Sequence, residues 1–144
     1  MLTLAFYKGW GGDAAARIGD GVIRAVTLSR YSHVEAILEP GVQLGGEYLA
    51  FSSSFRDGGV RAKYITFKPE RWDLVEVAAD PDRFRAEFEL RAGRAYDFAG
   101  AMLSPLRLPW PLTGPRDFCS EVVAAGLGLV APWGFSPARL SRSI

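Results

Sequence analysis

The sequence predicts an α+β fold, because segments with strand periodicity cluster between residues 32 and 78 while helical patterns lie on either side of them. Short turns separate these segments at Pro40-Gly41, Gly45-Gly46 and Arg56-Asp57-Gly58-Gly59. Strands joined by short turns favour antiparallel pairing. We therefore expect an antiparallel β-sheet or partial barrel packed against helices.

Length and composition narrow the class of protein. A chain of 144 residues can bury one sizeable core, and no linker or internal repeat divides it, so a single domain over residues 1–144 is expected. Seventeen basic and sixteen acidic residues give a net charge of +1 without a basic run, which argues against nucleic acid as a partner. No secretory signal or apolar run of ~20 residues is seen, so we expect a cytoplasmic protein without a membrane span.

The strand pattern places polar and apolar residues on opposite faces. In residues 32–38 the period of two puts His33 and Glu35 on one face, together with Ile37. The other face would carry Val34, Ala36 and Leu38. A first strand is expected at residues 2–7, and four strands at 32–38, 47–52, 60–67 and 72–78 would form an antiparallel meander.

Capping residues mark the helices. Asp80-Pro81 opens a helix whose Phe84, Phe88 and Leu90 would face inward. Asp117 would cap the helix that carries Cys119. Further helices are expected at residues 14–28 with Asp13 as cap, at 96–103 and at 136–140. The loop at residues 104–114 is rich in proline and apolar residues, so it should pack down or line a groove.

The only cysteine and the only histidine could form one nucleophilic site. Cys119 lies at the predicted start of a helix, and His33 lies on a strand. A cysteine nucleophile reacts as the thiolate, which a helix N-terminus and a nearby imidazolium both favour. The cysteine N–H could also stabilise an oxyanion. Taken alone, however, a single cysteine is more often a small buried apolar group, and a single histidine on a strand is usually structural.

A third polar group normally orients such a histidine. Glu35 shares its face, and the neighbouring strand offers Glu47, Ser52, Ser53 and Ser54. The residues themselves do not choose among these candidates. Zinc usually takes several His or Cys ligands, so with one of each no metal is expected, and no motif indicates a cofactor.

Three motifs taken in order resemble a known superfamily. They are Tyr31-Ser32-His33-Val34-Glu35, Tyr96-Asp97 and Asp117-Phe118-Cys119-Ser120-Glu121. The combination is similar to the circularly permuted papain-like cysteine hydrolases, relatives of NlpC-type cell-wall peptidases and lecithin:retinol acyltransferase-like proteins. With residues 52–61 included, the chain looks most like small phage and prophage members. The resemblance covers roughly residues 30–128.

The resemblance implies roles for particular residues. Cys119 would be the nucleophile and His33 the base, in a papain-like fold. The third polar residue of that superfamily, often a glutamate, corresponds to positions near Phe51 to Ser53, where this chain has no acid. Ser52, Ser53 or Glu35 would then orient the imidazole.

The expected function is that of a cysteine hydrolase that cleaves a peptide or peptidoglycan-stem amide through a thioester acyl-enzyme. A lipid or N-acyl hydrolase or acyltransferase is an alternative, suggested by the apolar residues 106–112. A non-catalytic binding module or phage structural module that keeps the fold is another. The phage likeness implies a bacterial host or a virion as the setting. The sequence does not indicate an oligomeric state.

Overall fold

The computed structural model of the protein describes residues 1–10, 12, 14–104 and 116–144. The predicted cap Asp13 lies outside the described residues. So do residues 105–114, which make up nearly all of the predicted apolar loop, and Pro115.

The core of the fold is a seven-stranded sheet that curls into a half barrel in the order β5-β1-β2-β3-β4-β6-β7. Neighbouring strands are antiparallel except β6 and β7, which run parallel. The strands are β1 (Leu2–Tyr7), β2 (His33–Ile37), β3 (Glu47–Ser54), β4 (Gly59–Thr66), β5 (Trp72–Val77), β6 (Ala95–Tyr96) and β7 (Arg116–Asp117). The predicted α+β class and partial barrel are confirmed at this level.

Five α-helices surround the sheet in the described part of the chain. They are α1 (Ala14–Thr27), α2 (Pro81–Glu89), α3 (Phe98–Leu103), α4 (Cys119–Gly126) and α5 (Pro137–Ser143), with a 3-10 helix at Pro132–Gly134. As predicted, Asp80 caps α2 and Ser136 caps α5 through side-chain hydrogen bonds. None of the described helices combines the length and apolarity that a membrane crossing requires.

The predicted meander is correct for β2, β3 and β4 and wrong for β5. β5 pairs with β1 on the far side of the sheet, with Trp72 opposite Tyr7. Phe67, which is fully buried, follows β4 and packs its ring 5.0 Å from that of Trp72. Pairing with β1 therefore buries the aromatic ring that begins β5, a gain that local turn patterns do not reveal.

The two faces of β2 carry the residues that the period of two predicts. Val34, Ala36 and Leu38 belong to the core cluster that includes the helices, and Ile37 belongs to a second cluster with Trp72. α4 packs on β2, β3 and α2.

The inward residues of α2 are only partly as predicted. Phe84 and Phe88 are buried, and the Phe88 ring lies 5.0 Å from that of Phe51 on β3. Leu90, in contrast, is 73% exposed. That prediction is wrong because the helix ends at Glu89 and Leu90 is its C-terminal cap, beyond the last inward-facing turn.

Two backbone segments lie unusually close together at Gly59, where β4 pairs with β6. Gly59 has a φ of +146°, and a Cβ at this position would overlap the carbonyl oxygen of Arg94. Glycine therefore permits the pairing of Gly59 with Ala95 that begins β6. Tyr96 belongs to this strand, so the helix predicted at residues 96–103 instead begins at Phe98.

Candidate active site

Cys119 is the first residue of α4, as the sequence predicts, but Asp117 does not cap this helix. The N-cap is Phe118, which makes no side-chain capping bond. Asp117 belongs to β7, and its buried carboxylate pairs with Arg91 and with Arg94, the latter at 3.2 Å. The prediction of a capping role is wrong, because two guanidinium groups between α2 and β6 bind this carboxylate. Cys119 itself is 2% exposed.

The fold brings the only histidine to the only cysteine. His33 begins β2 with its side chain 21% exposed. Burial lowers the pKa of His33, but the negative charges of Cys119 and Glu35, and hydrogen bonds to both, outweigh this effect and raise the pKa to about 10. An imidazolium beside a cysteine favours the thiolate, the form in which a cysteine nucleophile reacts.

Glu35 binds the Nε2 atom of the His33 imidazole ring. Its Oε1 lies 2.7 Å from Nε2 of His33, and the carboxylate is fully buried. Arg61 donates from Nη1 to Oε2 at 2.7 Å and from Nη2 to Oε1 at 2.6 Å. Burial alone would raise the pKa of Glu35, but the charges of His33 and Arg61 and their hydrogen bonds keep this pKa below its usual value. Glu35 is therefore an ionised group that binds the histidine from its own strand.

A row of charged side chains begins with His33 and Glu35 and continues through Arg61, Asp57 and Lys63. Arg61 Nε donates to Asp57 Oδ2 at 2.8 Å, and Lys63 Nζ donates to Asp57 Oδ1 at 2.9 Å. Burial raises the pKa of Asp57, while its bonds to Arg61 and Lys63 more than compensate and lower it to about 2. Alternating charges thus run from His33 to Lys63, and they fix the orientation of Glu35.

The two serines predicted as alternatives make other contacts. Ser52 Oγ donates to the carbonyl of Val34 at 2.6 Å, and Ser53 Oγ donates to the carbonyl of Asp117 at 2.7 Å. Both hydroxyls are buried and bind backbone, so the geometry gives the orienting contact to Glu35 instead.

Glu47, the remaining acidic candidate, also lies away from the imidazole. It is exposed at the far end of β3, where it pairs with Thr66, whereas the charged row crosses β3 near Ser52.

Sequence reasoning missed Arg61 and Asp57. Ser52 pairs with Arg61 across β3 and β4, and continuing the pairing of Ala36 with Phe51 places Ser52 beside Glu35. The small serine between them leaves room for the long Arg61 side chain to reach the carboxylate. The predicted turn at residues 56–59 would pair residue 52 with residue 63, whereas the turn in the structure occupies residues 55–58 and pairs Ser52 with Arg61.

An open cleft of about 680 Å³ reaches His33 and Glu35. Trp72 lies beside the histidine, with ring centroids 6.5 Å apart in an edge-on arrangement. Further lining residues include the aromatic side chains Tyr7, Phe55, Tyr64, Tyr96 and Phe98. Such a mixture of apolar walls and a few convergent polar groups is typical of small-molecule and peptide sites.

Two buried hydroxyls flank the reactive pair. Ser32 precedes His33 and lines the cleft, and Ser120 follows Cys119. Neither Oγ has a hydrogen-bond partner in the part of the chain that the structure describes. An unpaired buried hydroxyl costs about 1–3 kcal/mol. Of the two residues, Ser32 lines the cleft and Ser120 does not.

We expect the contribution of His33 to stability to depend on pH. Its pKa rises from 6.5 to about 10 on folding. The contribution should be fully present below pH 6.5 and should be lost as the pH rises to about 10, because the folded protein retains a proton that the unfolded chain releases. Urea unfolding of wild type and His33→Gln measures this directly. The difference in free energy of unfolding should shrink across this interval, and a difference independent of pH would contradict the assignment.

No known protein family, curated protein or solved structure matches this chain. The likeness of its short motifs to permuted papain-like hydrolases therefore stays a prediction. The case for a function rests on the contacts of Cys119, His33 and Glu35.

Proposed function

We propose that the protein is a cysteine hydrolase with a permuted papain-like arrangement, in which histidine precedes cysteine in the chain. The observation that carries the proposal is the row of contacts from Cys119 through His33 to Glu35. It contains a nucleophile, a base and an orienting carboxylate, which are the three parts that such chemistry needs.

The reaction follows from these positions. His33 takes the proton of Cys119, and the sulfur attacks the carbonyl carbon of an amide. The tetrahedral intermediate collapses to a thioester as His33 gives its proton to the leaving amine. A water molecule then attacks the thioester while His33 takes its proton. The carboxylic acid leaves, and the proton returns to the thiol.

Glu35 supports both halves of this cycle. Because Nε2 of His33 is bonded to the Glu35 carboxylate, Nδ1 is the nitrogen that exchanges protons with Cys119. The carboxylate also stabilises the imidazolium that forms at each step. Arg61 binds both oxygens of Glu35 and so fixes the direction of that hydrogen bond.

Peptide and peptidoglycan-stem amides are the substrates we favour, since an open cleft with both polar and aromatic lining residues suits a chain with hydrogen-bonding groups. The lipid or N-acyl alternative depends on residues 106–112, which lie outside the described part of the chain. A non-catalytic binding module is favoured by one observation, the 2% exposure of Cys119. A thiol that no substrate can reach would leave the cleft as a binding site only.

Trapping of the acyl-enzyme tests the proposal. Incubation with a thiol-directed acyl probe should add one acyl mass, which peptide mapping should place on Cys119. The variant Cys119→Ala should lose both this mass and turnover, while its near-ultraviolet circular dichroism stays that of the folded protein. Unchanged turnover by Cys119→Ala would contradict the proposed hydrolase function. A folded wild type that is never labelled would favour the binding module.

A further inference from the structure

The cleft carries more positive charge than the chain as a whole. The described charged residues that line it are the positive Arg56, Arg61, Lys63, Lys68 and Arg71 and the negative Asp20, Glu35 and Asp57. With His33 left out, as in the net charge of +1 for the whole chain, this is an excess of two positive charges at one surface. A local excess of this kind attracts anions.

Two of the positive side chains that line the cleft form no ion pair with its negative residues. Glu35 binds Arg61, Asp57 binds Arg61 and Lys63, and Asp20 lies 3.8 Å from Arg56. Within the described residues, Lys68 and Arg71 take part in no ion pair. Both are exposed on the cleft wall, so their charges face the space that a substrate would fill.

The backbone holds these two residues in one turn before β5. The N–H groups of Arg71 and Trp72 donate to the carbonyl of Lys68 at 3.0 and 3.1 Å. The carbonyl of Arg71 accepts from the N–H groups of Lys8 and Gly9 at 2.8 and 3.2 Å. The backbone from which the two cationic side chains extend is therefore held in place by hydrogen bonds.

Sheet register relates the end of this turn to the histidine. Trp72, the residue after Arg71, lies opposite Tyr7, and Tyr7 lies opposite His33. The backbones of Trp72 and His33 are therefore two strand spacings, about 10 Å, apart. The Trp72 ring fills part of that interval and offers an apolar surface between the charged turn and the histidine.

We propose that the substrate carries an anionic group, a carboxylate or a phosphate, which Lys68 and Arg71 bind on the side of Trp72 away from His33. The intervening part of the substrate lies along Trp72. This proposal rests on the proposed hydrolase function, because that function supplies the scissile carbonyl near His33. Arg71 supplies a planar fork that suits either anion, and Lys68 adds a point charge.

Matched ester probes test the anion preference. The probes are para-nitrophenyl esters of one acyl chain that ends in a carboxylate, a phosphate, a carboxamide or a methyl group. Wild type should show a kcat/KM about tenfold higher for an anionic ester than for the carboxamide. Lys68→Met and Arg71→Met should each lower this ratio. Arg142→Met removes one charge from an exposed site on α5 and should leave the ratio unchanged.

The outcomes separate this proposal from the hydrolase itself. Equal turnover of all four esters by wild type would overturn the anion site and leave the hydrolase intact. Calorimetric binding of the same esters to Cys119→Ala provides the second measurement. Preferential binding of the anionic esters there, without turnover by wild type, would support the anion site and reject the hydrolase. The carboxylate and phosphate probes decide which anion is preferred.

Discussion

Glu35→Gln should reduce kcat/KM by about 10³- to 10⁴-fold while the protein remains folded. Glutamine has nearly the same shape, but it is neutral and its NH₂ group can donate to the imidazole, which would favour the wrong tautomer. The Glu35 charge also helps to raise the pKa of His33, so its loss should move the alkaline limit of activity to lower pH. Steady-state hydrolysis of a para-nitrophenyl ester across the pH range measures both effects.

Ser52→Ala and Ser53→Ala are the matched controls for Glu35→Gln. Each removes a buried hydroxyl that donates to a backbone carbonyl, so each should cost about 0.5–1.5 kcal/mol of stability and change kcat/KM less than about tenfold. If either serine variant were as inactive as Glu35→Gln, the residue that orients His33 would be that serine on β3 and not Glu35. An active Glu35→Gln with an unshifted pH profile would limit Glu35 to a structural ion pair.

Local patterns were sufficient for most of the fold. The period of two in residues 32–38 placed His33 and Glu35 on one face, and capping signals gave the starts of α2 and α5. The pairing of β5 with β1 was not predictable in this way, because it depends on burial of Trp72 against Tyr7, which lies 65 residues earlier in the sequence, as well as against Phe67. Proximity along the chain instead favoured pairing with β4.

In the site too, contacts between residues close in sequence could be predicted, and contacts between distant residues could not. The contact of His33 with Glu35 joins residues two apart on one strand and could be proposed from sequence. Arg61 reaches Glu35 across an intervening strand, which requires the register of two hairpins at once. Asp117 looked like a cap because it precedes a helix at the right distance, and the sequence does not show that Arg91 and Arg94 converge on it.

Asp117→Ala should lower the free energy of unfolding by about 3–5 kcal/mol, the cost of breaking a buried ion pair. A helix cap would be worth only about 1 kcal/mol, so the magnitude separates the two interpretations. The Asp117 side chain is 2% exposed, and its loss would leave Arg91, which is 17% exposed, without this partner. Urea unfolding monitored by circular dichroism gives the measurement.

Asp97→Ala supplies the scale for this experiment, because Asp97 is a true cap that accepts the N–H of Gly100 at 2.8 Å. It should cost about 1 kcal/mol. In an Arg91→Met background the cost of Asp117→Ala should shrink, since one buried charge is already absent. Equal costs for Asp117→Ala and Asp97→Ala would mean that the ion pair adds little. A large cost would instead make the arginine-bound carboxylate the anchor that sets the start of α4, and with it the position of Cys119.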